Sequence, residues 1–108
     1  MLYKSVMSYN YVKYEELSSM YKAYFKMRSN DVKKVHAIWR ALHPDNMVTP
    51  SYMDISEEID GGTYVIKIII NEKSPKRFDS LRGTLDDIAC LVELIQNTIN
   101  ILEERQNS

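Results

Sequence analysis

The chain has 108 residues, a formal net charge of −1 and one cysteine, Cys90. That length accommodates one domain with a modest, incompletely buried core, and the charge balance excludes a uniformly basic nucleic-acid binder, so any phosphate contact has to come from a local patch. A lone cysteine excludes an intrachain disulfide and a multi-cysteine metal site, no apolar run approaches the roughly 18 residues of a membrane span, and the start lacks a secretory apolar block, so the expected location is the cytoplasm, with no membrane contact.

Residues 1–18 are rich in tyrosine (Tyr3, Tyr9, Tyr11, Tyr14) but show neither a helical period nor strict alternation. They are set apart as an N-terminal extension without assigned structure, its aromatics read as covering apolar surface or an interface. Residues 19–108 read as a single domain. From Met20 the pattern alternates, with Tyr21, Ala23, Phe25 and Met27 on one face and Lys22, Tyr24, Lys26 and Arg28 on the other, as in a half-buried strand. Asn30 and Asp31 can cap a helix whose apolar residues Val32, Val35, Ile38, Trp39 and Leu42 recur at helical spacing, Pro44 forbids much continuation, and His43-Pro44-Asp45-Asn46 reads as the loop that follows. Met53, Ile55 and Ile59 then alternate with Asp54, Ser56 and Glu58. Asp60-Gly61-Gly62 signals a tight reversal, because Asp and Gly tolerate positive φ. Tyr64, Ile66, Ile68 and Ile70 form the inner face of the return strand, while Val65, Lys67 and Ile69 make its outer face more apolar than an exposed edge should be, which allows for a cover on that side as well. Asn71 to Arg77 reads as a polar, basic loop, with Asp79 or Ser80 as cap of a long second helix.

That last helix, Leu81 to Leu102, organises the chain. A 100° advance per residue puts Leu81, Leu85, Ile88, Val92, Ile95, Ile99 and Leu102 on one seam, and Gly83, Asp87, Leu91, Leu94, Thr98 and Ile101 on a second beside it. The largely apolar arc spans roughly 200°, twice the stripe of an ordinary surface helix. One seam suits the chain's own core. The other suits a protein partner, which makes Leu91, Leu94, Thr98 and Ile101, together with Trp39, the candidate interface. The expected architecture is α+β, in the order β-α-β-β-α: a three-stranded antiparallel sheet with two helices on one face, dimeric through either the sheet edge or the helical layer.

No catalytic arrangement emerges. His36 and His43 lie about two turns apart, ~10 Å, too far to share one ion, and read as core-edge residues. Asp86 and Asp87 diverge by about 100° and suit the helix dipole. With no nucleophile pair, phosphate loop or metal spacing, neither catalysis nor a cofactor is expected. Lys73, Lys76, Arg77 and Arg82, in the loop and first turn of the long helix, form a candidate phosphate seat for RNA, which Lys22, Lys26 and Arg28 could extend if their face is open.

Two stretches carry a resemblance. Ala41-Leu42-His43-Pro44-Asp45-Asn46, closing the first helix, and Leu81-Arg82-Gly83-Thr84-Leu85-Asp86-Asp87, opening the second, resemble the signatures of the Pcc family, the small dimerising subunit of the KEOPS (EKC) complex. The resemblance runs from about Met20 to Leu102 and includes the order of elements. Gly83 stands where such proteins commonly have alanine and Asp86 where asparagine is usual, and the tyrosine-rich extension lies outside the pattern. The resemblance implies a noncatalytic scaffold subunit of the machinery that installs threonylcarbamoyladenosine beside the anticodon of tRNA. Such a subunit forms a homodimer, or a heterodimer with a paralogue, binds the threonylcarbamoyl transferase subunit through a helical bundle, bridges two catalytic subunits and assists tRNA binding. The enzyme's metal and nucleotide belong to the partner. Arg82 and Thr84 fall in the matched motif, as do Pro44, Asp45 and Asn46, the loop motif being read as architectural and Arg82 as an RNA or partner contact. The alternative function is a free-standing RNA-binding module using the strand-face cations and tyrosines.

Overall fold

The computed structural model describes residues 8–106, with side chains from residue 10 onward. Its elements are β1 (Ser8–Glu16), β2 (Tyr21–Ser29), α1 (Val32–Asn46), β3 (Met53–Asp60), β4 (Thr63–Ile70) and α2 (Pro75–Gln106). The strands form one antiparallel sheet in the order β1-β2-β4-β3. The α+β class therefore stands, but the sheet has four strands rather than the expected three.

The additional strand comes from the N-terminal extension, of which residues 1–7 lie outside the described residues. β1 escaped the periodicity test because it is polar on both faces: Tyr11, Lys13 and Glu15 point one way, Asn10, Val12, Tyr14 and Glu16 the other. The helices pack on β2, β3 and β4, so nothing requires β1 to carry an apolar stripe. The signal that it did carry was β-propensity, from its tyrosines and valine. A four-residue loop, closed by the Leu17 amide donating to the Met20 carbonyl, joins it to β2.

The core lies between the sheet and the helices. Ala23, Phe25 and Met27 of β2, Tyr64, Ile66, Ile68 and Ile70 of β4, and Met53 of β3 face Val35, Ile38 and Leu42 of α1 and Leu81, Leu85, Ile88 and Val92 of α2, all buried. The pairing Phe25↔Ile66 and Ile55↔Ile68 keeps these apolar residues on one side, since a one-residue slip would turn them all outward.

Local chemistry sets the helix ends. Asp31 caps α1 by accepting from the Lys34 amide, as expected, and Ser29 Oγ accepts from the Asp31 amide. α1 continues only two residues past Pro44, as expected, but His43 to Asn46 form its last turn rather than a loop. Proline removes only its own amide, and the buried Asn46 side chain holds the last turn in place, with the Met47 amide reaching the His43 and Pro44 carbonyls. α2 begins earlier than expected, at Pro75 rather than near Asp79. Ser74 is its cap, accepting from the Arg77 amide through its hydroxyl and from the Phe78 amide through its carbonyl, with proline in the first helical position. The buried Lys34 ammonium donates to Asn100 Oδ1 at 2.8 Å and ties the start of α1 to the far part of α2.

The β3–β4 hairpin turns on Gly61-Gly62. Gly61 has φ +57°, the left-handed value of a primed hairpin turn. At Gly62 the constraint is space: a Cβ there would sit 2.2 Å from the Ser29 carbonyl oxygen. The Ser29 amide also donates to the Gly62 carbonyl, so the turn is sewn to the end of β2. Gly62→Ala is accordingly expected to lower stability by about 2 kcal/mol or more in urea unfolding, as overpacking against backbone does. An unchanged midpoint would show that the turn is not packed on β2 in this way.

Candidate partner and nucleic-acid interfaces

α2 has 32 residues, and its fully buried positions end at Val92. Ile95 and Ile99 are half-buried, and the rest of the distal half is more open. Along the second seam Leu91 is 38% exposed, Leu94 62% and Ile101 51%, with Leu102 of the first seam at 52%. Thr98, also exposed, turns its hydroxyl back to the Leu94 carbonyl, so it adds a methyl group rather than an unsatisfied donor. Four of the five predicted interface residues thus lie together on one open stripe.

Trp39 does not join them. It is half-buried on α1, packed against the core and flanked by the rings of His36 and His43. It stands about 140° around α1 from Lys34, the residue that reaches α2.

The structure does bring the two signature stretches together. A groove of about 510 Å³ between the end of α1, the following loop and α2 is lined by Asp45, Asn46, Val48, Thr84, Asp87 and Leu91, among others. Met47 and Val48 stand beside it largely exposed, and Leu91 connects the groove to the α2 stripe. Sequence reading missed this groove because its walls are about 40 residues apart in the chain. The apolar, unpatterned pair Met47-Val48 after a helix end was the available clue.

Within the first motif, Asn46 acts on neighbouring strands rather than on its own turn. Its Nδ2 donates to Glu57 Oε2 and to the Tyr64 hydroxyl, each at 3.3 Å. Tyr64 donates to Glu57, and His43 Nδ1 lies 2.6 Å from Glu57 Oε1. The motif is therefore a clamp of α1 on β3 and β4. Burial, reinforced by the hydrogen bond and charge of Glu57 and opposed by the Asn46 amide, holds the Tyr64 hydroxyl far above the usual tyrosine range.

The four predicted phosphate ligands are not assembled into one seat. Lys73 is paired with Glu16 at 2.7 Å and lies over the Tyr21 ring, and Arg77 is paired with Glu72 at 3.2 Å with its guanidinium 3.7 Å from the Tyr52 ring centroid. Lys76 and Arg82 are exposed, about 120° apart around α2. Because α2 begins at Pro75, Arg82 sits beyond its first turn, and Ser74 occupies the Arg77 amide that a phosphate would use. Lys22, Lys26 and Arg28 lie on the side of the sheet away from both helices, which no described element covers.

Scans against protein-family models, curated proteins and solved structures return no match. Among the described residues no group of three or more His, Cys, Asp and Glu side chains could hold a metal ion, and no helix is long and apolar enough to cross a membrane.

The Tyr64 clamp yields a pH prediction. In the unfolded chain its hydroxyl ionises near pH 10, and in the folded chain it does so only at higher pH, so the unfolded state loses a proton first. The stabilisation is complete below about pH 10 and declines as pH rises above it, by up to about 1.4 kcal/mol per pH unit. Tyr64→Phe is expected to flatten the alkaline fall of stability by this amount, measured by urea unfolding between about pH 9 and 11. Parallel curves for parent and variant would refute the assignment.

Proposed function

We propose that this chain is a noncatalytic dimerising scaffold of the KEOPS type. In this reading it bridges threonylcarbamoyl transferase subunits and assists tRNA binding during threonylcarbamoyladenosine formation beside the anticodon. The observation that carries it is the open apolar stripe of α2, on a helix that outruns its own core. Covering each of these half-exposed leucines and isoleucines contributes about 1 kcal/mol, so a helix–helix contact over Leu91, Leu94, Ile101 and Leu102 on both partners supplies enough burial to drive association. A parallel or antiparallel mate on that stripe makes the helical bundle that the role needs.

Two further features support the reading. The motifs that carry the resemblance converge on one groove continuous with the stripe, and the element order from β2 to α2 matches the order of the Pcc pattern. β1 is an addition at the sheet edge. In this reading the chain supplies no chemistry of its own, catalysis being left to the partner.

The test is assembly. Leu94→Glu and Ile101→Glu each place a charge where the partner must desolvate it, and are expected to weaken association at least about 100-fold, close to 3 kcal/mol, without lowering the monomer's helix content. Sizing by light scattering, with capture of a co-expressed transferase subunit, reads the effect. Unaltered self-association and unaltered capture in both variants would overturn the reading.

A further inference from the structure

β1 widens the back of the sheet into an open four-stranded face. Register gives its rows: Tyr11, Lys26, Val65 and Glu58 lie side by side, then Lys13, Tyr24, Lys67 and Ser56, then Glu15, Lys22, Ile69 and Asp54. On β1, β2 and β4 this face carries five cations, Lys13, Lys22, Lys26, Arg28 and Lys67, against the single carboxylate of Glu15, which pairs with Lys13 at 3.2 Å and leaves four to set the charge, in a chain whose net charge is −1. The charge is local, as a binding stripe requires. Along β3 the same face is acidic, with Asp54, Glu58 and Asp60, and forms one border of the stripe.

Among the described side chains, two tyrosines punctuate the cations. Tyr11 is paired with Lys26, and Tyr24 is paired with both Lys13 and Lys67, so each ring is flanked by ammonium groups, with Lys26 Nζ 6.0 Å from the Tyr11 ring centroid. Tyr11 and Tyr24 occupy diagonal positions on adjacent strands, roughly 7–8 Å apart at the backbone. That places two ring faces one after the other along a cationic track. Unstacked bases can lie on such rings while the phosphates follow the cations, whereas a duplex keeps its base faces stacked on one another.

We propose that the open face over β1, β2 and β4 binds single-stranded nucleic acid, with Tyr11 and Tyr24 as stacking platforms and Lys13, Lys22, Lys26, Arg28 and Lys67 as phosphate contacts. The site is separate from the α2 stripe and from Lys76 and Arg82. It stands whether or not the scaffold reading does.

Fluorescence anisotropy with labelled oligouridylate and oligothymidylate of about twelve nucleotides, and an RNA duplex of equal length, tests it at about 50 mM salt. Either single strand is expected to bind more tightly than the duplex. Tyr11→Ile and Tyr24→Ile, which keep strand propensity but remove the ring, are expected to weaken binding by about tenfold each, while Tyr11→Phe and Tyr24→Phe retain it. Lys26→Gln should reduce the salt slope by about one. Melting curves confirm that each variant is folded. The proposal is overturned by equal affinity for duplex and single strand, or by isoleucine variants that bind like the parent. It is equally overturned if binding is lost only in Lys76→Gln and Arg82→Gln, or if light scattering shows that the tyrosine variants break self-association, which would assign the face to a second copy of the chain.

Discussion

The controlling constraint is a mismatch of lengths. A 32-residue helix runs about 48 Å, while strands of eight or nine residues run about 30 Å at most. The sheet can bury only the first part of α2, and it does so with Leu81, Leu85, Ile88 and Val92. Past that point the helix leaves its support, and the molecule extends 54 Å in one direction against 22 and 21 Å in the others. Helical stability in proteins comes mostly from packing an apolar face, so a distal half with Leu94, Ile101 and Leu102 in the open is poised for something to pack on it. Lys34, bonding to Asn100, ties that half back to the start of α1.

Legibility in the sequence followed burial. β2, β3, β4 and both helices were readable because each has one face in the core, which imposes a period of 2 or 3.6 on residues such as Phe25, Ile66 and Leu85. β1 was not, because the helices meet it only through the Tyr14–Phe78 ring contact, too little to impose a period. His43 to Asn46 read as a loop but form the last turn of α1, since the bonds that hold it run from Asn46 to Glu57 and Tyr64, distant in sequence. The start of α2 was misplaced although Ser74-Pro75 carries the standard signal, the basic residues that follow it having been read as loop. For the interfaces, spacing along α2 sufficed to group Leu91, Leu94, Thr98 and Ile101. It could not reveal that Lys73 and Arg77 have carboxylate partners in Glu16 and Glu72, nor that Trp39 packs against the core between the rings of His36 and His43.

The two faces of the molecule are built for different contacts. The helical side ends in apolar surface and a groove, chemistry that suits a protein partner, whereas the back of the sheet is charged and aromatic, chemistry that suits a polyanion. β1 serves both sides of this division. Tyr11 and Lys13 extend the back face, and Tyr14 packs its ring toward Phe78 at the start of α2, with a centroid separation of 6.2 Å. An edge strand outside the three on which the helices pack thus enlarges the surface, which would let a protein contact and a nucleic-acid contact coexist on one small chain.

Amide hydrogen exchange over residues 93–106, followed across a dilution series from about 100 μM to below 1 μM, tests the central claim most directly. An overhanging helix that is held by association should exchange slowly when concentrated and progressively faster on dilution, while the amides of β2 and β4 stay unchanged. Protection of that segment independent of concentration, whether high or low, would contradict the claim: high protection would mean that the chain encloses the helix itself, and low protection that no second copy covers it.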